Sequence, residues 1–175
     1  NVSLDGYFEA PGHDLSWATH DFEAFYQRGD TPVEALLFGR HTYEMMRSFW
    51  PTEQAAAMMP DVAGFMNAQA KYVVTHDGGY APGWSQVSVV SGDVPAAIGE
   101  LKRQGDGTIM LFGSNTLAVT LLEHGLLDVA QVNVNPVVLG AGTALFAGLD
   151  ERVGLTLKEA RPFKSGCVLL TYGRG

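Results

Sequence analysis

VEALLFGRHTYEMM, residues 33–46, passes from a short apolar run through Gly39 into a helical pattern, and that change of period decides the fold. Val33 to Phe38 is rich in Val, Leu and Phe and closed by a glycine, as expected of a strand buried on both faces. A helix is expected from Thr42 to Ser48. GTIMLFGSNTL, residues 107–117, repeats the arrangement with a strand, Gly113 and a helix over Asn115 to His124. In that helix Leu117 and Leu121 stack on one face, and Gly125 is placed to end it. Strands that feed helices in this way imply crossover connections and a parallel sheet.

Working outward, KYVVTH (71–76), SQVSVVSG (85–92) and LDVAQVNVNPVVLG (127–140) read as further strands. Helices are expected over Asp21 to Arg28, Glu53 to Gln69 and Val94 to Gln104. VGLTLKEARPF (153–163) and CVLLTYGRG (167–175) are separated only by Lys164, Ser165 and Gly166, which makes the last pair an antiparallel hairpin. With NVSLDGYF at the start, the expectation is an α/β domain. It has an eight-stranded, mostly parallel mixed sheet, helices on both faces and a C-terminal antiparallel hairpin.

The 175 residues show no repeat, low-complexity segment or long polar linker, so one domain over 1–175 is expected. A chain of this length buries roughly 70% of the surface its unfolded form exposes, enough to fold without staples. The single cysteine, Cys167, lies in the apolar run CVLLTY and reads as a buried strand residue. A chain without disulfides is compatible with the reducing cytoplasm, where we place it. No apolar run reaches membrane-spanning length, and a net charge of −8 argues against nucleic acid or anionic lipid as partners. The sequence opens at Asn1 in what reads as a strand, so a few residues are expected to precede it.

Ligands of open α/β sheets bind beyond the carboxyl ends of the strands. Both Gly39 and Gly113 end strands there, and a missing side chain lets a ligand approach the backbone. Thr42, Ser114 or Asn115 is placed to cap a helix whose free N–H groups favour phosphate, and Arg40 adds a forked, permanent cation. Each junction alone also describes an ordinary capped turn, and Arg40 alone a surface ion pair. Their joint occurrence favours an anion site, although no G-x-G-x-x-G fingerprint is present.

The combination resembles the dihydrofolate reductase superfamily over nearly the whole chain. In dihydrofolate reductases a strand ending in Gly-Arg-x-Thr precedes a helix. The arginine and its neighbours hold the 2′-phosphate of NADPH, and the threonine meets the pyrophosphate. GRHTYE matches that pattern, so the resemblance implies cofactor roles for Gly39, Arg40, His41 and Thr42. The family's next strand ends beside the adenine, which implicates Thr75 and His76. Gly113, Ser114, Asn115, Thr116 and Leu117 take the position of the second phosphate-binding turn. VSLDGYFE, PVVLGAGTALF and FKSGCVLLTY look closer to the reductase domain of the riboflavin-biosynthesis deaminase-reductase and its stand-alone relatives. The resemblance implies NADPH-dependent hydride transfer to a small heterocycle, either 5-amino-6-(5-phosphoribosylamino)uracil-like or pterin-like, by a homodimer.

The family's proton donor is an acid on the first helix with an aromatic one turn later, which resembles Asp21 and Phe25 following Trp17. An acid in a first helical turn is also favoured by the helix dipole alone, and both readings stand. Trp17, Phe25, Phe49 and Trp50 are candidates for the walls of a flat substrate pocket, with core packing as the alternative use. Asp5 before Gly6 reads first as a turn former. The deaminase-reductase's paired arginines on the first helix are reduced here to Arg28 among acids, which counts against a ribosyl-phosphate substrate. The five histidines lack ligand spacing, so no metal is expected. The alternative to an enzyme is a non-catalytic or regulatory relative that keeps the NADPH site.

Overall fold

The computed structural model describes residues 1–19 and 32–175, and the chain divides into two compact units. The helix expected over Asp21 to Arg28 lies outside the described residues.

The unit spanning Thr31–Leu117 contains a four-stranded parallel sheet. Its strands are β2 (Val33–Gly39), β3 (Ala70–Val74), β4 (Val87–Val90) and β5 (Thr108–Leu111), in the order β4-β3-β2-β5. β2 is central, and the run Ala35, Leu36, Leu37 and Phe38 is buried, as a strand covered on both faces requires. The parallel register sets Gly39 opposite Val74 and Leu37 opposite Leu111, so strands from distant parts of the sequence end at one level.

Helix α1 (Arg40–Phe49) leaves β2 without an intervening loop. The helix expected over Glu53 to Gln69 is two helices, α2 (Glu53–Met58) and α3 (Pro60–Ala68). Pro60 has no N–H to donate and its ring disfavours the α region for the residue before it, so Met59 takes φ −144° and ψ 66°. Thr52 caps α2, its hydroxyl accepting from the Ala55 N–H at 3.2 Å. Helix α4 (Val94–Gln104) has the expected bounds and is capped by Asp93, whose carboxylate accepts from the Ala96 N–H at 3.0 Å. Helix α5 (Asn115–Glu123) follows β5 and is terminated by Gly125 at φ +68°.

The sheets described in the unit formed by Asn1–Asp30 and Ala118–Gly175 are antiparallel. Strands β6 (Val129–Val134), β8 (Leu155–Pro162) and β9 (Val168–Arg174) form a sheet in the order β6-β9-β8. The β8–β9 pair is the expected hairpin; Gly166 at φ +88° makes its turn and Cys167 is fully buried beside Phe163 and Leu169. β8 is an edge strand among the described residues and most of its side chains are exposed.

A two-stranded ladder joins β1 (Tyr7–Glu9) to β7 (Thr143–Ala144), a strand too short for a periodic signal. Asp5 fastens the two turns beside it, accepting from the Leu139 N–H at 3.1 Å and the Gly140 N–H at 2.8 Å. A hydrogen bond from Ser3, followed by these backbone bonds, pulls its carboxyl down to about 2. Asp5 is thus a turn former, as its sequence context indicated. The described residues therefore carry nine strands in three sheets. Parallel strands, intervening helices and the final antiparallel hairpin are all as expected, while the pairing is divided more finely than one eight-stranded sheet. No described helix is long and apolar enough to cross a membrane.

Candidate functional site

The two glycine junctions meet at the carboxyl ends of β2 and β5. The Gly39 N–H donates to the Gly113 carbonyl at 2.7 Å, so the turns lie side by side. A methyl group at Gly39 would stand 2.9 Å from the Ser114 hydroxyl and 3.1 Å from its backbone nitrogen. Gly113 adopts φ +120°, a region closed to most side chains, and a methyl there would stand 3.2 Å from the Thr42 hydroxyl. The two turns thus pack backbone against backbone, because neither position has room for a side chain. The Gly113–Ser114 peptide is cis.

Thr42 does not cap α1, contrary to the sequence expectation. Gly39 occupies the N-cap position without any side-chain hydrogen bond, and Thr42 is buried one turn in. The cause is that the helix begins at Arg40, two residues before the expected start. Ser114 precedes α5 and its hydroxyl receives a long, 3.5 Å contact from the Leu117 N–H. Asn115 and Thr116 follow in the first turn, their side chains 3.4 Å apart, and Leu117 is buried.

Arg40 and His41 are exposed at the start of α1, and Thr75 and His76 continue β3 beyond Val74. Since Val74 is the register partner of Gly39, the β3 exit stands beside the α1 start. All eleven proposed cofactor residues therefore belong to the Thr31–Leu117 unit. Thr75 is buried, and its hydroxyl accepts from the Asp77 N–H at 3.2 Å.

Asp77 and Tyr80 were not singled out from the sequence, yet they flank the arginine. Arg40 Nη1 is 3.7 Å from Asp77 Oδ2, and its guanidinium lies 4.6 Å from the centre of the Tyr80 ring. The ion pair is long and both side chains are at least half exposed, so it is worth about 0–1 kcal/mol. Forked, charge-assisted bonds to a phosphate exceed that, so Arg40 is available to an anion.

Behind Arg40, the Tyr80 hydroxyl donates to Glu44, which also pairs with Arg47 at 3.0 Å. Tyr80's hydrogen bond is the main cause holding Glu44 below the usual carboxylate range. Burial, then Glu44 itself, pushes the Tyr80 hydroxyl up to about 12.

A buried framework supports this exit loop. The Trp84 N–H donates to the Tyr43 hydroxyl at 3.2 Å, and the indole N–H donates to Asn67 Oδ1 at 2.7 Å. Asn67 in turn donates to the carbonyls of Trp50 and Ala63, each at 2.9 Å. Lys71 lies under the Trp84 ring and donates to the carbonyls of Gln69, Asn67 and Ser85. Burial pulls its pKa down to about 8.

The proposed substrate residues are less concentrated. Phe49 and Trp50 pack edge to face at 5.1 Å at the far end of α1 from Arg40. Trp17 belongs to the other unit, where its indole N–H donates to the Asp14 carbonyl at 3.0 Å. Asp21 and Phe25 lie outside the described residues.

YyaP of Bacillus subtilis (strain 168), a protein of uncharacterized activity, is 24% identical over 171 residues, covering 98% of this chain and 90% of the relative. A solved structure from Shewanella sp. PV-4, named for riboflavin biosynthesis, superposes with TM-score 0.74 at 22% identity, covering 99% and 95% of the two chains. Dihydrofolate reductase from Enterococcus faecalis, solved with NADP(H), superposes with TM-score 0.69 at 18% identity, covering 99% and 92%. The fold is therefore that of dihydrofolate reductase. A sequence description of the RibD C-terminal domain matches residues 1–169, and it is to this family that the chain belongs.

Proposed function

We propose that this member of a reductase family is an NADPH-dependent oxidoreductase that transfers a hydride to a small pyrimidine-like or pterin-like heterocycle. The observation that carries the reading is the pair of side-chain-free turns, Gly39 and Gly113, hydrogen-bonded to each other with Arg40 beginning the adjacent helix. Such a cradle suits a phosphate-bearing cofactor because a helix N-terminus favours anions and Arg40 adds a forked cation at the start of α1. Thr42 and Gly113 to Leu117 would hold the pyrophosphate region, Arg40 with its neighbours Gly39 and His41 the 2′-phosphate, and Thr75 and His76 the adenosine end. When bound, NADPH supplies the hydride.

The chain's own part is to orient the acceptor and exclude water. Trp17, Phe25, Phe49 and Trp50 are proposed to wall the acceptor. The Asp21 carboxyl is proposed to deliver the accompanying proton, a role that rests on its resemblance to the family's first-helix acid. A single family description running over residues 1–169 supports reading 1–175 as one domain. We further propose a cytoplasmic homodimer with small-molecule partners only.

The test is a fluorescence titration of NADPH and NADH against the wild type and Arg40→Ala. The variant should lose about 1.5–3 kcal/mol of NADPH affinity and much less for NADH, because only NADPH carries the phosphate assigned to Arg40. Equal losses would return Arg40 to a structural role. Oxidised pterins and pyrimidine precursors should then consume the reduced nicotinamide absorbance. Binding without consumption of any acceptor would favour the non-catalytic relative.

A further inference from the structure

Asp77 stands beside Arg40, the residue assigned above to the 2′-phosphate. It is fixed in a tight turn: its N–H donates to the Thr75 hydroxyl at 3.2 Å, and its Oδ1 accepts from the Gly79 N–H at 3.0 Å. Its carbonyl accepts from the Tyr80 N–H at 3.1 Å. Only Oδ2 is left over, and it faces Arg40 Nη1 at 3.7 Å while Tyr80 covers the guanidinium plane. The β2–β3 register explains the meeting, since Gly39 and Val74 are partners and Arg40 and Asp77 follow them by one and three residues.

We propose that Asp77 is a specificity-determining residue of the cofactor site, lowering the preference for NADPH over NADH by competing with the 2′-phosphate for Arg40. The inference rests on the proposed reading of Arg40 as the phosphate's partner. A phosphate dianion must displace or tolerate the carboxylate, at a Coulombic cost. The 2′-hydroxyl of NADH is instead a donor that a carboxylate accepts well, as acidic residues do at ribose sites elsewhere. Tyr80 limits the escape of Arg40 to another position, so the competition takes place at one guanidinium.

Asp77→Asn is the direct test, because asparagine keeps the volume and the acceptor for Gly79 while removing the charge. Titrating both cofactors into the full chain should show NADPH binding about three- to tenfold tighter and NADH no tighter than in the wild type. The gain should shrink at high salt, since both side chains are exposed. An unchanged ratio of the two dissociation constants, or equal tightening of both, overturns the proposal. Arg40→Ala separates the two ideas. If it erases the NADPH advantage while Asp77→Asn leaves the ratio alone, Arg40 keeps its role and Asp77 has none. If it leaves the ratio unchanged, or if the wild type binds neither cofactor, both readings fall.

Discussion

Gly39 shows how a single missing side chain shapes the site. Its φ of −72° suits any residue, so conformational freedom does not explain the glycine. Space does, because a methyl group would press on the Ser114 nitrogen at 3.1 Å, and backbone cannot rotate away as a hydroxyl can. Gly39→Ala should therefore separate the two turns, costing about 1–2 kcal/mol of stability and weakening NADPH more than tenfold. Unchanged affinity by titration would show that the turns need not touch.

Lys71 carries a different signature at the same scale. A buried lysine whose folded pKa is near 8 imposes its penalty below that pH. As pH rises from about 8 toward the unfolded value near 10.5, the folded state sheds a proton that the unfolded state keeps, and stability increases. The gain is about 1–3 kcal/mol, and Lys71→Met should flatten it in urea titrations between pH 8 and 10. Above pH 10 the slope should reverse, because Tyr80 stays protonated to about 12 when folded and resists an ionisation that unfolding allows.

At the scale of elements, α1, α3 and the loop after β3 are fastened through one side chain. Asn67 receives the Trp84 indole N–H and donates to Trp50 and Ala63. Asn67→Ala would leave a buried N–H and a carbonyl without partners, costing about 2–4 kcal/mol, with the exit loop losing protection first in hydrogen exchange. Equal protection in variant and wild type would show that packing alone holds the loop.

This fastening was illegible in the sequence, as were Asp77 and Tyr80. Strand β2 and helices α4 and α5 announce themselves by period and by local punctuation such as Asp93 and Gly125. The exit loop carries no period. Its HDGGY stretch shows turn chemistry, but nothing local says that Asp77 will meet a residue on another element. Only the register that places Gly39 beside Val74 brings them together. The break at Met59 was legible in principle, since Pro60 is the signal, and the helical composition on either side masked it.

On the scale of the whole molecule, the resemblance extended over the cofactor residues better than over the substrate residues. Backbone-mediated phosphate recognition needs a few glycines at fixed places in sequence, whereas a heterocycle pocket is assembled from aromatic side chains that serve equally well in a core. Assembly is the remaining property of this scale, and β8 bears on it. The strand is an edge among the described residues, and Leu157 is 52% exposed. An uncovered edge with an exposed apolar residue near its start invites a partner, while neighbouring Lys158, Glu159 and Arg161 oppose unregulated pairing. A two-fold arrangement would bury the exposed half of Leu157 twice, each copy contributing about 0.8–1.5 kcal/mol. The wild type should therefore scatter light as a dimer at micromolar concentrations, against the repulsion of a net charge of −8 on each chain. Leu157→Lys should raise the dissociation constant at least about tenfold, since it removes the apolar contact and places like charges across the axis. A wild type that stays monomeric removes the dimer, and a variant that dimerises as well as the wild type moves the interface away from β8.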